Sequence, residues 1–246
     1  MTRKASTGSR LLVKTHISPR LSAAGVMMAT LATEHEASKP HGFQTNEPYE
    51  DVTVLRVMEF AASAVVMSVA ALEGILNEIF SEATDSFAKS TRRRERSPEA
   101  DRAEARWAAM WKRGVPGRGY NALDKVQILF ELADQDPLPE KGAAQNLRAL
   151  ITLRNELVHS QTIVQPHAPF GPDKDRGSIE KLLASKFEPS RLLPVTVPFV
   201  WARCLSAGCA RWAVDTRIAV GNEIHGLLGT GISGMAPWQV TPKPRK

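Results

Sequence analysis

Apolar residues recur at every third or fourth position along most of this chain, which is the spacing of helices that bury one face. The clearest segment runs from Tyr49 to about Phe87, with apolar residues at Leu55, Met58, Ala62, Val66, Val69, Leu76 and Phe80. Other helical segments are predicted after Pro98, after Asn121, over about 143–162, over 178–187 and from near Pro198 to about Leu228. Because no series of alternating strands appears, the pattern predicts an all-α protein.

Capping and breaking residues set some of the predicted helix ends. Pro98, directly after a serine, begins one helix, and Gly114 ends it. Asn121 is the expected N-cap of the next helix, with Asp124 three positions later as an imperfect capping box.

The length of 246 residues, 43% of them apolar, is enough for one sizeable core. Residues 1–48 are predicted to be a basic N-terminal arm with a short helix, 49–230 a single helical domain, and 231–246 a basic, flexible tail. Proline and glycine recur across 165–197. We therefore expect an up-and-down helical bundle with an N-terminal extension and a Pro/Gly-rich insertion before its last long helix.

Composition and charge indicate which partners, compartment and cofactors to expect. The net charge of +6 favours polyanionic partners such as nucleic acid, although the same charge spread over the surface would only keep the protein soluble. Cys204 and Cys209 point apart on one helix, so no disulfide is expected and a reducing compartment is favoured.

The longest apolar run, Phe60–Leu72, has 13 residues and is too short to span a bilayer. We expect a cytoplasmic protein with no membrane partner, and no cluster has metal-site spacing, so no metal or other cofactor is predicted.

Two charged residues fall on apolar stripes of two different predicted helices. Arg154 lies within the stripe formed by Leu147, Leu150, Ile151 and Val158. Glu73 falls on the centre line of the stripe in the Tyr49–Phe87 helix. An unpaired buried charge is costly, so the two stripes are expected to face each other, with Glu73 and Arg154 paired inside the bundle or at the edge of a buried groove.

His159 belongs to a different face of the motif helix. It is four residues after Asn155 and shares a face with it, but it lies about 140° around the helix from Arg154. One explanation is that a histidine near a helix C-terminus is favoured by the macrodipole. The other is that His159 faces a groove and acts there as a catalytic residue.

The stretch Arg154-Asn155-Glu156-Leu157-Val158-His159 resembles the Arg-x4–6-His motif of the HEPN superfamily, in which a polar residue commonly follows the arginine. The stretch SVAALEGILNEIF, Ser68–Phe80, resembles the first core helix of that family, with its acidic residue. The resemblance covers roughly 50–165, and the helix after Pro198 would complete the bundle. It implies an HEPN-like fold that usually forms a homodimer and brings two motif helices together in a cleft.

The resemblance also implies a function, because many HEPN proteins are metal-independent endoribonucleases in toxin–antitoxin, antiviral and RNA-processing systems. The nucleophile would be the 2′-hydroxyl of the RNA itself. His159 would move protons and Arg154 would stabilise negative charge at the phosphorus. Asn155 would orient the phosphate or the imidazole, and Glu73 would hold Arg154. The expected partners are single-stranded RNA, a second copy of the chain, and a cognate antitoxin or other partner protein.

Basic residues near two tryptophans are further candidates for RNA contact by backbone binding and stacking. They are Arg92, Arg93, Arg94 and Arg118, which flank the helix that carries Trp107 and Trp111. Alternatively, both tryptophans belong to the core and the arginines to a solvated loop. The remaining histidines show no pairing pattern and are expected to be structural or incidental: His16, His35, His41, His167 and His225.

Two other functions stay open at the level of the sequence. Some HEPN members have lost the activity and serve as binding or dimerisation modules. A third possibility is a helical protein in which Arg154 and its neighbours only build the core. The segments added to the HEPN-like part, at 1–48, 98–113 and 165–197, do not decide between these functions.

Overall fold

The computed structural model describes residues 16–39, 50–84, 98–114, 119–159, 174–197 and 199–228. In these ranges the chain forms helices and the turns between them, and no β-strand. The helices share one continuous apolar core. The prediction of an all-α helical bundle is therefore confirmed.

The helices of the described ranges follow the predicted order. They are α1 (Ser18–Ala37), α2 (Val52–Glu82), α3 (Pro98–Lys112), α4 (Ala122–Leu132), α5 (Ala143–His159), α6 (Lys174–Leu183), a five-residue π-helix (Phe199–Arg203) and α7 (Ala207–Leu228).

The central helix is α2, because it packs against α1, α3, α4, α5 and α7. A helix with partners on several sides buries more than one stripe, and the predicted stripe is partly wrong. Three of its members are only half-buried, namely Leu55, Ala62 and Val66. Neighbouring positions are buried instead, including Val54, Val57, Ala61, Ala64 and Val65. The apolar spacing located the helix but not the centre of its buried face.

The N-terminal helix α1 is longer than the short helix expected in the arm, and it belongs to the bundle. It has 20 residues and packs along α2 and α7. Its buried positions are small residues at helical spacing: Ser18, Ser22, Gly25, Ala29 and Ala32. Small side chains let the helix backbones approach closely, and a methyl group added at Gly74 of α2 would lie 3.2 Å from Ser18 Cβ. The short helix expected in the N-terminal arm is thus a 20-residue helix packed on α2 and α7.

Capping side chains begin α2 and α4, and the cap of α4 is the one predicted from the sequence. Asp51 accepts hydrogen bonds from the backbone N–H groups of Thr53 and Val54 at 2.7 and 3.2 Å. Asn121 and Asp124 form a complete capping box at the start of α4. Gly114 has φ of 72° after the end of α3, a left-handed conformation that favours glycine.

The predicted long helix from Pro198 to Leu228 is divided into the π-helix and α7. Ser206 makes the new start: its Oγ accepts a hydrogen bond from the Cys209 N–H at 3.0 Å and donates to the Glu188 carbonyl at 2.7 Å. Glu36 of α1 also accepts from the Ala207 N–H at 2.9 Å. Cys204 and Cys209 are both buried and form no disulfide, as predicted.

By length and composition alone, α2 could cross a membrane, because an 18-residue window has a mean hydropathy of 1.7. The run Phe60–Leu72 was too short for this, but the helix that contains it has 31 residues. Half of the window is buried within the protein, as in the core helix of a soluble protein, so the signal is weak.

Candidate functional site

An ion pair joins the motif helix α5 to the central helix α2. Arg154 Nη2 donates a hydrogen bond to Glu73 Oε1 at 2.6 Å. The pairing predicted from two misplaced charges of opposite sign is therefore confirmed. The Arg154 side chain is 21% exposed and the Glu73 side chain 35%. Of the two places expected for the pair, inside the bundle or at its edge, these exposures favour the edge.

The exposure of the pair follows from where burial ends along α5, because the last buried residue of this helix is Leu153. The helix buries one face, formed by Ala144, Leu147, Ala149, Leu150, Ile151 and Leu153. Val158, which the sequence placed on the same stripe, is 53% exposed. No residue from Arg154 to His159 is buried, so the whole motif lies on the accessible last turns of α5.

A buried lysine that the sequence did not single out belongs to the same cluster. Lys125, in the first turn of α4, is only 6% exposed, and its Nζ donates to Asn77 Oδ1 at 2.8 Å. Burial lowers the pKa of Lys125, and the negative charge of Glu73 partly opposes that change. Asn77 follows Glu73 by one helical turn on α2, so the two side chains share a face. Helices α2, α4 and α5 therefore contribute to one polar cluster.

His159 and Asn155 are both exposed on the outer side of α5. The five-residue spacing from Arg154 to His159 corresponds to about 140° around an α-helix. Arg154 reaches Glu73 on α2, whereas His159 is exposed on a different face of α5. One chain therefore does not direct both side chains at a single point. A phosphate that contacts an arginine and a histidine of this motif would need one of the two from a second chain.

The tryptophans of α3 have packing roles in the described structure. Trp107 is 5% exposed, and its indole N–H donates to the Leu129 carbonyl at 3.2 Å. The ring of Trp111 stacks on Phe80, with centroids 6.4 Å apart. These contacts favour the interpretation that both rings belong to the core rather than to an RNA-stacking surface.

Several predicted residues lie outside the described ranges. They are the candidate RNA contacts Arg92, Arg93, Arg94 and Arg118, together with His41 and His167. Within the described ranges, no group of three or more His, Cys, Asp or Glu side chains could hold a metal ion.

The other described histidines differ in their surroundings. The ring nitrogens of His16 lie 3.3 Å from Glu78 Oε2 and from Glu82 Oε1, which fits the expected structural role. His35 packs against the ring of Phe60, with centroids 5.3 Å apart. His225 is exposed in the last turn of α7, a position similar to that of His159 in α5.

Comparison of the chain with protein-family models, with curated proteins and with solved structures finds no match. The resemblance to the HEPN superfamily therefore rests on two stretches of the sequence alone, Ser68–Phe80 and Arg154–His159.

Proposed function

We propose that this protein is an HEPN-like, metal-independent endoribonuclease that cuts single-stranded RNA. The observation that carries the proposal is the Glu73–Arg154 ion pair between α2 and α5, with an accessible His159 five residues after Arg154 on α5. Arginine has five N–H donors, so the hydrogen bond to Glu73 leaves others for a phosphate. A guanidinium fixed by a neighbouring carboxylate is already oriented before the RNA arrives.

The chemistry needs only the RNA and groups that carry protons and stabilise charge. The 2′-oxygen of one ribose attacks the adjacent phosphorus, the bond from phosphorus to the 5′-oxygen breaks, and a 2′,3′-cyclic phosphate and a 5′-hydroxyl result. An imidazole accepts the 2′-hydroxyl proton, and an acid supplies a proton to the 5′-oxygen. His159 takes one of these roles, and Arg154 stabilises the extra negative charge on the phosphoryl oxygens.

A homodimer would resolve the divergence of the two side chains on α5. In a two-fold assembly, the α5 helix of a second copy approaches the first, and each phosphate can meet the arginine of one chain and the histidine of the other. The accessible last turns of α5 leave room for such an approach. By the HEPN resemblance, the enzyme would act in the cytoplasm in toxin–antitoxin or antiviral defence, with a cognate antitoxin or other partner protein.

The test is RNA cutting in excess EDTA by the purified protein. We expect cutting of a labelled single-stranded RNA, 2′,3′-cyclic phosphate ends by mass spectrometry, and no cutting of the same sequence with 2′-O-methyl groups. Arg154→Met should lower the rate by about 100- to 1,000-fold. Cutting that EDTA abolishes, or that also occurs on the 2′-O-methyl strand, would contradict the proposal.

The divergence of Arg154 and His159 favours one alternative, a catalytically inactive HEPN-like dimerisation or binding module. In that case the exposed last turns of α5 would bind a partner or RNA without cutting it. The two functions separate in one experiment, because the inactive module binds the labelled RNA or a partner and leaves the strand intact in every buffer.

A further inference from the structure

We infer that Lys125 is a positioning residue of the proposed site, which keeps Glu73 from neutralising Arg154 and so preserves a positive charge for the RNA phosphate. The inference rests on the proposed function for its ligand. It assigns α4, which carries no part of the HEPN-like motif, to the same site.

The contacts run from α4 through α2 to α5. Lys125 Nζ donates to Asn77 Oδ1 at 2.8 Å, and Arg154 Nη2 donates to Glu73 Oε1 at 2.6 Å. Asn77 and Glu73 are one turn apart on α2 and share a face. A lysine that is only 6% exposed has little freedom, so Lys125 holds the α2 side of the cluster in one arrangement.

The charges of the cluster do not cancel. Glu73 interacts with Lys125 as well as with Arg154, since its charge raises the pKa of Lys125 against the lowering by burial. Arg154 donates a hydrogen bond to Glu73, whereas Lys125 is bound to Asn77 and only lies within the electrostatic influence of Glu73. Without Lys125, the charge of Glu73 would act on Arg154 alone, and the guanidinium would be less available to an anion.

The alternative role of Lys125 is to fasten α4 to α2 without acting on Arg154, and a double-mutant cycle separates the two roles. The readout is the affinity for a fluorescent 2′-O-methyl oligoribonucleotide, which the proposed reaction cannot cut. We expect Lys125→Met to weaken binding by about 5- to 10-fold. In the Arg154→Met background, the same change should weaken binding by less than about 2-fold, because the charge it protects is gone.

The matched control is Lys112→Met, which removes a lysine charge from the exposed last turn of α3. It should weaken binding by less than about 2-fold at physiological salt. Equal losses for Lys125→Met and Lys112→Met would overturn the inference. The inference would also be overturned if the fold-losses of affinity in Lys125→Met and Arg154→Met multiply in the double variant.

A second measurement needs no ligand and no change at Lys125. The titration of the Lys125 side chain is followed by NMR in the wild type and in Glu73→Gln. The pKa of Lys125 should fall in the variant, since the charge that raises it has been removed. An unchanged titration would overturn the inference. A protein that neither binds nor cuts RNA would end the proposed function, and this titration would still decide whether Lys125 and Glu73 are coupled.

Discussion

Glu73 and Arg154 lie 81 positions apart in the chain, yet their side chains meet at 2.6 Å where α2 and α5 pack together. Both side chains are partly exposed, so the pair is neither a solvated surface bridge nor a sealed interior one. That intermediate position suits a group that must be held in place and still reach a ligand.

Removing the carboxylate should destabilise the fold by a moderate amount. We expect Glu73→Gln to lower the free energy of unfolding by about 1–2 kcal/mol, less than for a fully buried pair, because water screens part of the Arg154 charge. Chemical denaturation at neutral pH measures the change.

The matched control for that experiment is the pair of Arg106 with Asp134, at 2.7 Å, whose side chains are 44% and 71% exposed. Asp134→Asn should change stability by no more than about 0.5 kcal/mol. Asparagine also tolerates the φ of 57° at this position. If both variants lose the same small amount, the Glu73–Arg154 pair does not hold α5 against α2.

Two glycines of α7 should respond to alanine in opposite directions. A methyl group at Gly208 would lie 2.5 Å from the Glu188 carbonyl oxygen, so Gly208→Ala must displace backbone and should cost about 1–3 kcal/mol. At Gly221 nothing lies within 4 Å of the added carbon, and alanine should stabilise the helix by up to about 1 kcal/mol. Melting temperatures of the two variants check the prediction, and a stable Gly208→Ala protein would contradict the close contact of α7 with Glu188.

The cap of α2 should make stability depend on acid pH. The hydrogen bond from Lys39, with those from the Val54 and Thr53 N–H groups, lowers the pKa of Asp51 below its ordinary value of 3.8 despite an opposing effect of burial. A lowered folded-state pKa contributes stability that is present above the unfolded pKa and is lost as the pH falls through the folded one.

Asp51→Asn isolates this effect, because asparagine can still cap the helix but carries no charge. We expect the wild type to be more stable than the variant at pH 7, with the difference shrinking as the pH falls below 3.8. Urea denaturation at several pH values measures it. A difference that stays constant across this range would rule out a charged cap.

The two cysteines should report unfolding rather than surface chemistry. Both thiols are buried, and burial raises the pKa of Cys209 well above its ordinary value, with a smaller contribution from Cys204. Since the thiolate is the reactive form, alkylation in native buffer should be much slower than in urea. Mass spectrometry after timed iodoacetamide treatment checks this, and fast native labelling of Cys209 would show that the start of α7 opens.

The sequence predicts an element best where the buried residues are large. The order of the helices, the caps at Asn121 and Gly114 and the pairing of Glu73 with Arg154 followed from apolar spacing, capping chemistry and charge. The length and packing of α1 did not, because it packs through serine, glycine and alanine, which carry little apolar signal. Its place in the bundle depends on close approach of backbones, which spacing alone does not reveal.

Lys125 and the break at Ser206 escaped the sequence for another reason. A lysine in the first turn of a helix usually lies in water, and only the packing of α4 on α2 buries this one against Asn77. Ser206 precedes a new helix start, where its hydroxyl donates to the Glu188 carbonyl of a separate segment and accepts from the Cys209 N–H. Both depend on tertiary contacts, which the local pattern of apolar and polar residues does not indicate.

The most direct test of the proposed ribonuclease compares two histidines in equivalent places. His159 and His225 are each exposed in the last turn of a helix, α5 and α7, but only His159 belongs to the motif beside Arg154. The measurement is the initial rate of cutting of a labelled single-stranded RNA in EDTA by the wild type, His159→Ala and His225→Ala. We expect His159→Ala to be slower by about 100- to 10,000-fold and His225→Ala to match the wild type. Equal rates for all three proteins would contradict a catalytic role for His159.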